Sequence, residues 1–96
     1  MDKEKHNGWS NYATWRVNLE FFDGINFVRE DVWGDSIYDF SEQLKGDVET
    51  ILDEEFDNDT RQTSLSNAYA HAFISDVNWY EIAKAINDTY KLELKD

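Results

Sequence analysis

The residues able to do chemistry in this chain are few, apart from its carboxylates. His6 and His71 are the only imidazoles, they lie far apart, and neither belongs to a His-x-x-His or His-Glu-x-x-His arrangement. With no cysteine beside them, the ligand set of a zinc site is missing. His71 lies between Tyr69 and Phe73 and reads as a partly buried helical residue. The run DNDTRQTS opens like a calcium loop through Asp57 and Asp59, but Arg61 stands at the third ligand position. Gln62 also replaces the glycine that the turn of such a loop requires. Nucleophile motifs and glycine-rich phosphate loops are absent. Acid–base catalysis needs a carboxyl group in an apolar pocket with a raised pKa, whereas these acids fall on polar faces. The chain is therefore read as a non-enzyme, with no metal and no cofactor.

The carboxylates themselves are unevenly placed. The segment Glu30 to Asp59 holds twelve acids and one base, Lys45, which is nearly the whole net charge of −12. The segments on either side are close to neutral. Asp35, Asp39, Glu42, Glu49, Asp53, Glu54, Glu55, Asp57 and Asp59 are the candidate partner-binding residues. On a helix, Asp39, Glu42, Glu49 and Asp53 fall opposite Phe40, Leu44, Val48 and Ile51. Carboxylates one turn apart are separated by roughly 5 Å of rise. Phosphates along a nucleic-acid strand repeat on a comparable scale, one per ~3.4 Å of axis before winding is counted. Asp53, Glu54 and Glu55 crowd the expected C-terminal end of that helix, where the macrodipole disfavours negative charge by roughly 0.3–1 kcal/mol each. A local rule broken without local gain points to a functional surface.

The elements that must position this face can be read from spacing. Residues 1–8 read as a flexible N-terminus and 9–96 as a single helical domain, without repeats or linkers. A first helix over SNYATWRVNLEFFDG is capped by Ser10 or Asn11, has Tyr12, Trp15, Leu19 and Phe22 inside, and stops at Asp23-Gly24. INFVREDVWG, carrying Phe27, Val28, Val32 and Trp33, reads as a short helix or an irregular segment. A second helix is capped by Asp35, with Ile37, Phe40, Leu44, Val48, Ile51 or Leu52, and Phe56 inside; Gly46 marks a bend or break. DNDTRQT reads as a polar loop. A third helix opens at Thr63 or Ser64 and carries Leu65, Tyr69, Ala72 and Phe73. The last opens at Asn78, with Glu81 completing a capping box and Val77 and Ile82 a hydrophobic staple. Its inner face is Trp79, Ile82, Ala83 and Ile86, and Trp15 and Trp79 are both expected in the core. The tail YKLELKD reads as a frayed end or a short edge strand. The fold class is thus mostly α, a compact domain of about four helices.

Composition agrees. Four Trp, five Tyr and six Phe in 96 residues can supply a dense core to a chain that buries only about 60–65% of its unfolded surface. The absence of Pro and the four Gly favour helices over turn-rich β architecture. MDKEKHNGWS has no apolar run behind it, so no signal peptide is expected, and no stretch approaches the ~18 apolar residues of a membrane span. The lack of Cys fits a reducing cytoplasm. Direct binding to nucleic acid or an anionic membrane is disfavoured by the charge, whereas a basic partner is attracted. Trp9, Tyr12 and Trp15 could stack on bases, but only Arg16 is near to draw in phosphates, so core packing is the better account.

The N-terminal run NGWSNYATWRVNL, through Asn7, Gly8, Trp9, Ser10, Asn11, Tyr12, Thr14, Trp15, Val17 and Leu19, resembles a family of small uncharacterised phage and plasmid proteins. Its members begin with a pattern like N-G-W-S/T-N-Y-x-T-W-x-V-x-L. VNWYEIA, Val77 to Ala83, resembles the family's closing motif. The two motifs cover about a quarter of the chain, and the acidic middle lies between them. The resemblance implies a setting rather than an activity: a mobile-element protein in the cytoplasm of a bacterial host. Small acidic proteins there are often antirestriction or anti-CRISPR inhibitors, which place carboxylates where a target's DNA or RNA phosphates would lie. The expected function is therefore inhibition of a host DNA-targeting defence system by acidic nucleic-acid mimicry. The expected partner is a basic nucleic-acid-binding host protein or complex. The alternative is a generic phage protein–protein interaction domain without a defence role.

Overall fold

The computed structural model describes residues 8–57 and 72–96, with residues 55–57 described by their backbone alone. The expected third-helix start at Thr63 or Ser64, with Leu65 and Tyr69, both histidines, and most of the DNDTRQT loop lie outside the described residues. So does the Phe56 side chain. Among the described residues the chain is mostly α, with α-helix in four segments and no strand longer than an isolated bridge.

Helix α1 spans Tyr12–Val17 and is capped by Asn11, whose Oδ1 accepts the Thr14 N–H at 2.8 Å. Its winding then widens into a π-turn over Asn18–Phe22, closed by the Asp23 N–H donating to the Asn18 carbonyl at 2.9 Å. That turn changes the buried face. Ala13, Thr14, Val17 and Phe22 are buried, whereas Tyr12 and Leu19, expected inside, are 46% and 44% exposed. The five-residue step from Val17 to Phe22 matches i→i+5 winding, which a 3.6-residue period does not anticipate. Trp15, also expected in the core, is only half-buried and packs beside Tyr12 at a ring separation of 5.6 Å. Gly24 ends the segment at φ +89°, in the left-handed region that glycine enters without strain.

The ambiguous stretch after Gly24 is irregular, with one 3-10 turn at Arg29–Asp31. The Asp31 carboxylate accepts the Val28 N–H at 3.0 Å and closes that turn. Phe27 packs edge-on against Phe40 at 5.8 Å, and Val32 is buried.

Helix α2 spans Ile37–Asp57 and passes through Gly46 unbroken. Its cap is Ser36 rather than Asp35: Ser36 Oγ accepts the Asp39 N–H at 3.0 Å, and the Ser36 carbonyl accepts the Phe40 N–H at 3.0 Å. Asp35 is engaged otherwise, through Arg29 at its side chain and the Lys95 N–H at its carbonyl. Ile37, Phe40, Leu44 and Val48 are buried; each such side chain contributes roughly 1.5–3 kcal/mol when fully buried. Of the two candidates for the next turn, Leu52 packs on the core and Ile51 is 46% exposed. Asp57, expected to begin a loop, is still helical.

Residues 72–75 are helical and lead into a turn at Asp76. Helix α3, Trp79–Tyr90, packs chiefly on α2. Val77, Trp79, Ile82, Ala83 and Ile86 are buried, as the expected staple and inner face require. The capping box is only half formed. Asn78 Oδ1 accepts the Glu81 N–H at 3.0 Å, but the Glu81 carboxylate reaches the Ser10 N–H, at 3.1 and 3.2 Å. The C-terminal tail is neither frayed nor a strand. Leu92 and Leu94 are buried, Glu93 between them sits at φ +64°, and Lys95 makes a single parallel bridge to Ser36.

Candidate partner-binding face

Helix α2 positions the acids by the same winding that buries its core side. At about 100° per residue, Asp53 points directly away from the Ile37–Phe40–Leu44–Val48 row, with Glu42 and Asp39 close to it on either side. Glu49 lies farther round on the Glu42 side, and Glu54 falls on the opposite flank. Asp39, Glu42, Asp53 and Glu54 are exposed, and Glu49 is half-buried. Asp47, exposed on the Glu54 flank, adds a further acid, and Lys45, half-buried, is the one base along α2. Asp39 to Asp53 covers roughly 21 Å of helix at 1.5 Å per residue.

The remaining candidates divide. Asp35 is exposed but ion-paired with Arg29 at 3.0 Å, so its charge is partly compensated. That exposed pair contributes little to stability. Glu55 and Asp57 belong to α2 by backbone, and their side chains lie outside the described residues, as does Asp59 altogether. Asp31 points back into its own 3-10 turn rather than outward.

The feature that sequence reasoning missed is Trp33, which is 86% exposed. Its backbone is fixed despite that exposure. The Trp33 N–H donates to Gln43 Oε1 at 3.0 Å, and Gln43 Nε2 donates to the Asp31 carbonyl at 2.7 Å. Gln43 thereby ties the loop to α2 from both sides of Val32. Beside Trp33 opens a shallow groove of about 380 Å³ lined by Gly34, Asp39, Glu42 and Gln43. Gly34 lies so close that a Cβ there would collide with the Asp39 side chain, so glycine is needed for the loop to meet the helix. The one available signal was a Trp-Gly pair outside any apolar periodicity, immediately before the acidic helix.

A second cavity, about 160 Å³, lies between the π-turn and α3 and is lined by Trp9, Phe22, Phe27, Ile86 and Tyr90 with Asn18 and Asp23 at its edge. The Tyr90 hydroxyl donates to the Ile25 carbonyl at 2.8 Å beside it. None of the acidic-face residues reach it. Among the described residues no three His, Asp or Glu side chains gather as a metal site would require, and no helix is long and apolar enough to cross a membrane.

Comparison of the chain with protein-family models, with curated proteins and with solved structures finds no match. The reading of the site therefore rests on its own geometry and charge.

Proposed function

We propose that this chain is a phage- or plasmid-encoded inhibitor of a host DNA-targeting defence system, of anti-CRISPR or antirestriction type. It works in the host cytoplasm as an acidic nucleic-acid mimic and occupies a basic groove of its target. The observation that carries the reading is the outward face of α2. Asp39, Glu42, Asp53 and Glu54 are exposed along a single rigid rod whose opposite side is anchored by fully buried Phe40 and Val48. A rigid row of carboxylates meets Lys and Arg without first having to be ordered, which is the usual entropic cost of binding through flexible charges. The field of a −12 chain speeds encounter with a basic partner and repels nucleic acid itself. In complex, the row takes positions that phosphates would otherwise hold.

A generic interaction domain is the second reading, and Trp33 favours it, since mimicry of a phosphate backbone requires no exposed indole. The two differ in what competes. The immobilised protein should capture nucleic-acid-binding proteins from host lysate, and added duplex DNA or RNA should displace them. Capture that nucleic acid leaves untouched would reject mimicry in favour of the generic domain.

A further inference from the structure

We propose that Trp33, with the carboxylates of Asp39 and Glu42, forms a receptor for an arginine side chain of a basic protein partner. The guanidinium would stack on the indole and hydrogen-bond to the carboxylates. This rests on the preceding reading only in taking the partner to be basic.

Three observations carry it. First, the indole is 86% exposed while the residues around it are not left to drift. Val32 is buried, Arg29 Nη1 donates to the Val32 carbonyl at 3.1 Å, and Gln43 holds the Trp33 N–H. A large aromatic side chain on a fixed backbone loses little entropy on binding, and such residues dominate interface energetics. Second, the groove beside it offers an indole, two carboxylates and an amide, with no cation among its lining residues. Charge complementarity therefore selects a cationic occupant and rejects phosphate. Third, the chemistry distinguishes the two basic side chains. A planar guanidinium can lie on an aromatic face and still direct its N–H groups, in its own plane, at carboxylates; an ammonium is a compact point charge that does one or the other less well.

The groove also differs from the rest of the acidic face in kind. Glu49, Asp53 and Glu54 offer a cation charge and a carboxylate fork but no stacking surface, so whatever preference they give arginine does not depend on Trp33. Among the described residues the exposed rings of this face, Trp33 and Tyr38, lie at its N-terminal end, and a preference for arginine that depends on Trp33 is the signature of the receptor.

The test uses the full chain with oligo-arginine and oligo-lysine peptides of equal length, followed by tryptophan fluorescence and calorimetry. The wild type should bind oligo-arginine more tightly. Trp33→Ala should weaken oligo-arginine binding roughly 5- to 30-fold, the interval between an exposed cation–π contact and one desolvated on binding, and remove the Trp33-dependent part of the preference. Trp33→Phe should keep part of it. Asp39→Asn with Glu42→Gln should reduce the preference as well, whereas Asp88→Asn, which removes a charge on α3, should lower both affinities slightly and leave their ratio unchanged. Because Trp33 is so exposed, Trp33→Ala should retain the wild-type circular dichroism spectrum. An unchanged arginine-to-lysine ratio in Trp33→Ala overturns the proposal. So does Trp33-dependent binding of a single-stranded oligonucleotide, which would make the indole a base-stacking surface. Failure of mimicry reads differently: nucleic acid fails to displace the captured target while the arginine preference persists.

Discussion

The buried hydroxyl of Thr14 accepts the Asn78 backbone N–H at 2.8 Å and donates to Asn11 Oδ1 at 2.7 Å, so one side chain joins the caps of two helices. Asn11 and Asn78 are the N-caps of α1 and α3. Two further bonds reinforce the joint: Asn11 Nδ2 donates to the Asp76 carbonyl at 2.9 Å, and Ser10 N–H donates to Glu81. The SNYAT and DVNWYE segments, far apart in the sequence, thus form one hydrogen-bonded unit. Residues that would each cap only their own helix are shared across the interface, which fixes α1 against α3.

Thr14→Val tests that joint. Valine matches the shape of threonine, so no cavity forms, but the Asn78 N–H loses its acceptor in a site where Thr14 is fully buried. A buried donor left unpaired costs about 1–3 kcal/mol. Urea denaturation should show a lower midpoint with an unchanged slope, and Thr14→Ser should retain most of the wild-type stability. Equal stability of the valine variant and the wild type would show that the bond carries no weight.

Gly46 lies in an unbroken helix with open space where a Cβ would be placed. Gly46→Ala should therefore stabilise the protein by about 0.5–1 kcal/mol, from reduced backbone freedom in the unfolded chain. Thermal melts measure this directly; a destabilised variant would mean that the position serves as a hinge.

The tryptophans should separate by burial. Trp79, 8% exposed, should cost about 3–5 kcal/mol on replacement by Ala, while Trp33→Ala, at 86% exposure, should stay within about 0.5 kcal/mol of wild type. Trp15, half-buried, should fall between them. Chemical denaturation of the three variants gives the order, and any other order contradicts the assigned core.

These contrasts show what was legible in the sequence. The inner row of α2 followed the helical period because a regular helix on a flat core obeys it, and Asn78 with Glu81 marked the start of α3 correctly. The face of α1 was not legible, since the π-turn from Asn18 shifts the register after Val17. The choice between Asp35 and Ser36 as cap was not legible either, because Arg29 and the distant Lys95 engage Asp35 through tertiary contacts. The tail showed its Leu92–Leu94 alternation, but the left-handed Glu93 keeps that alternation from becoming a strand. The acidic face was readable from charge and period together. Trp33 was not, because an aromatic side chain held outward by backbone bonds has the same sequence signature as one that packs inward.

The last prediction concerns the acidic face as a whole. Carboxylates crowded along α2 repel one another in the folded state, and Lys45 is the one base in the sequence of that helix. Moderate salt should therefore raise the stability of the isolated protein by screening, since charges farther apart than about 8–10 Å interact little at physiological ionic strength. The same salt should weaken binding to a basic target, whose attraction depends on the unscreened field. Glu49→Lys with Glu54→Lys separates the two effects, because both positions lie on α2 but outside the Trp33 groove. The double reversal should relieve repulsion, making stability less sensitive to salt, and should at the same time reduce target binding by at least an order of magnitude if two charge contacts of about 1 kcal/mol or more become repulsive. Lys91→Glu, on the left-handed residue that ends α3, should leave target binding as it was. A face maintained only for solubility would tolerate the reversal in a binding assay. Unchanged affinity together with unchanged salt dependence of binding would therefore assign the face to solubility and reject the mimic.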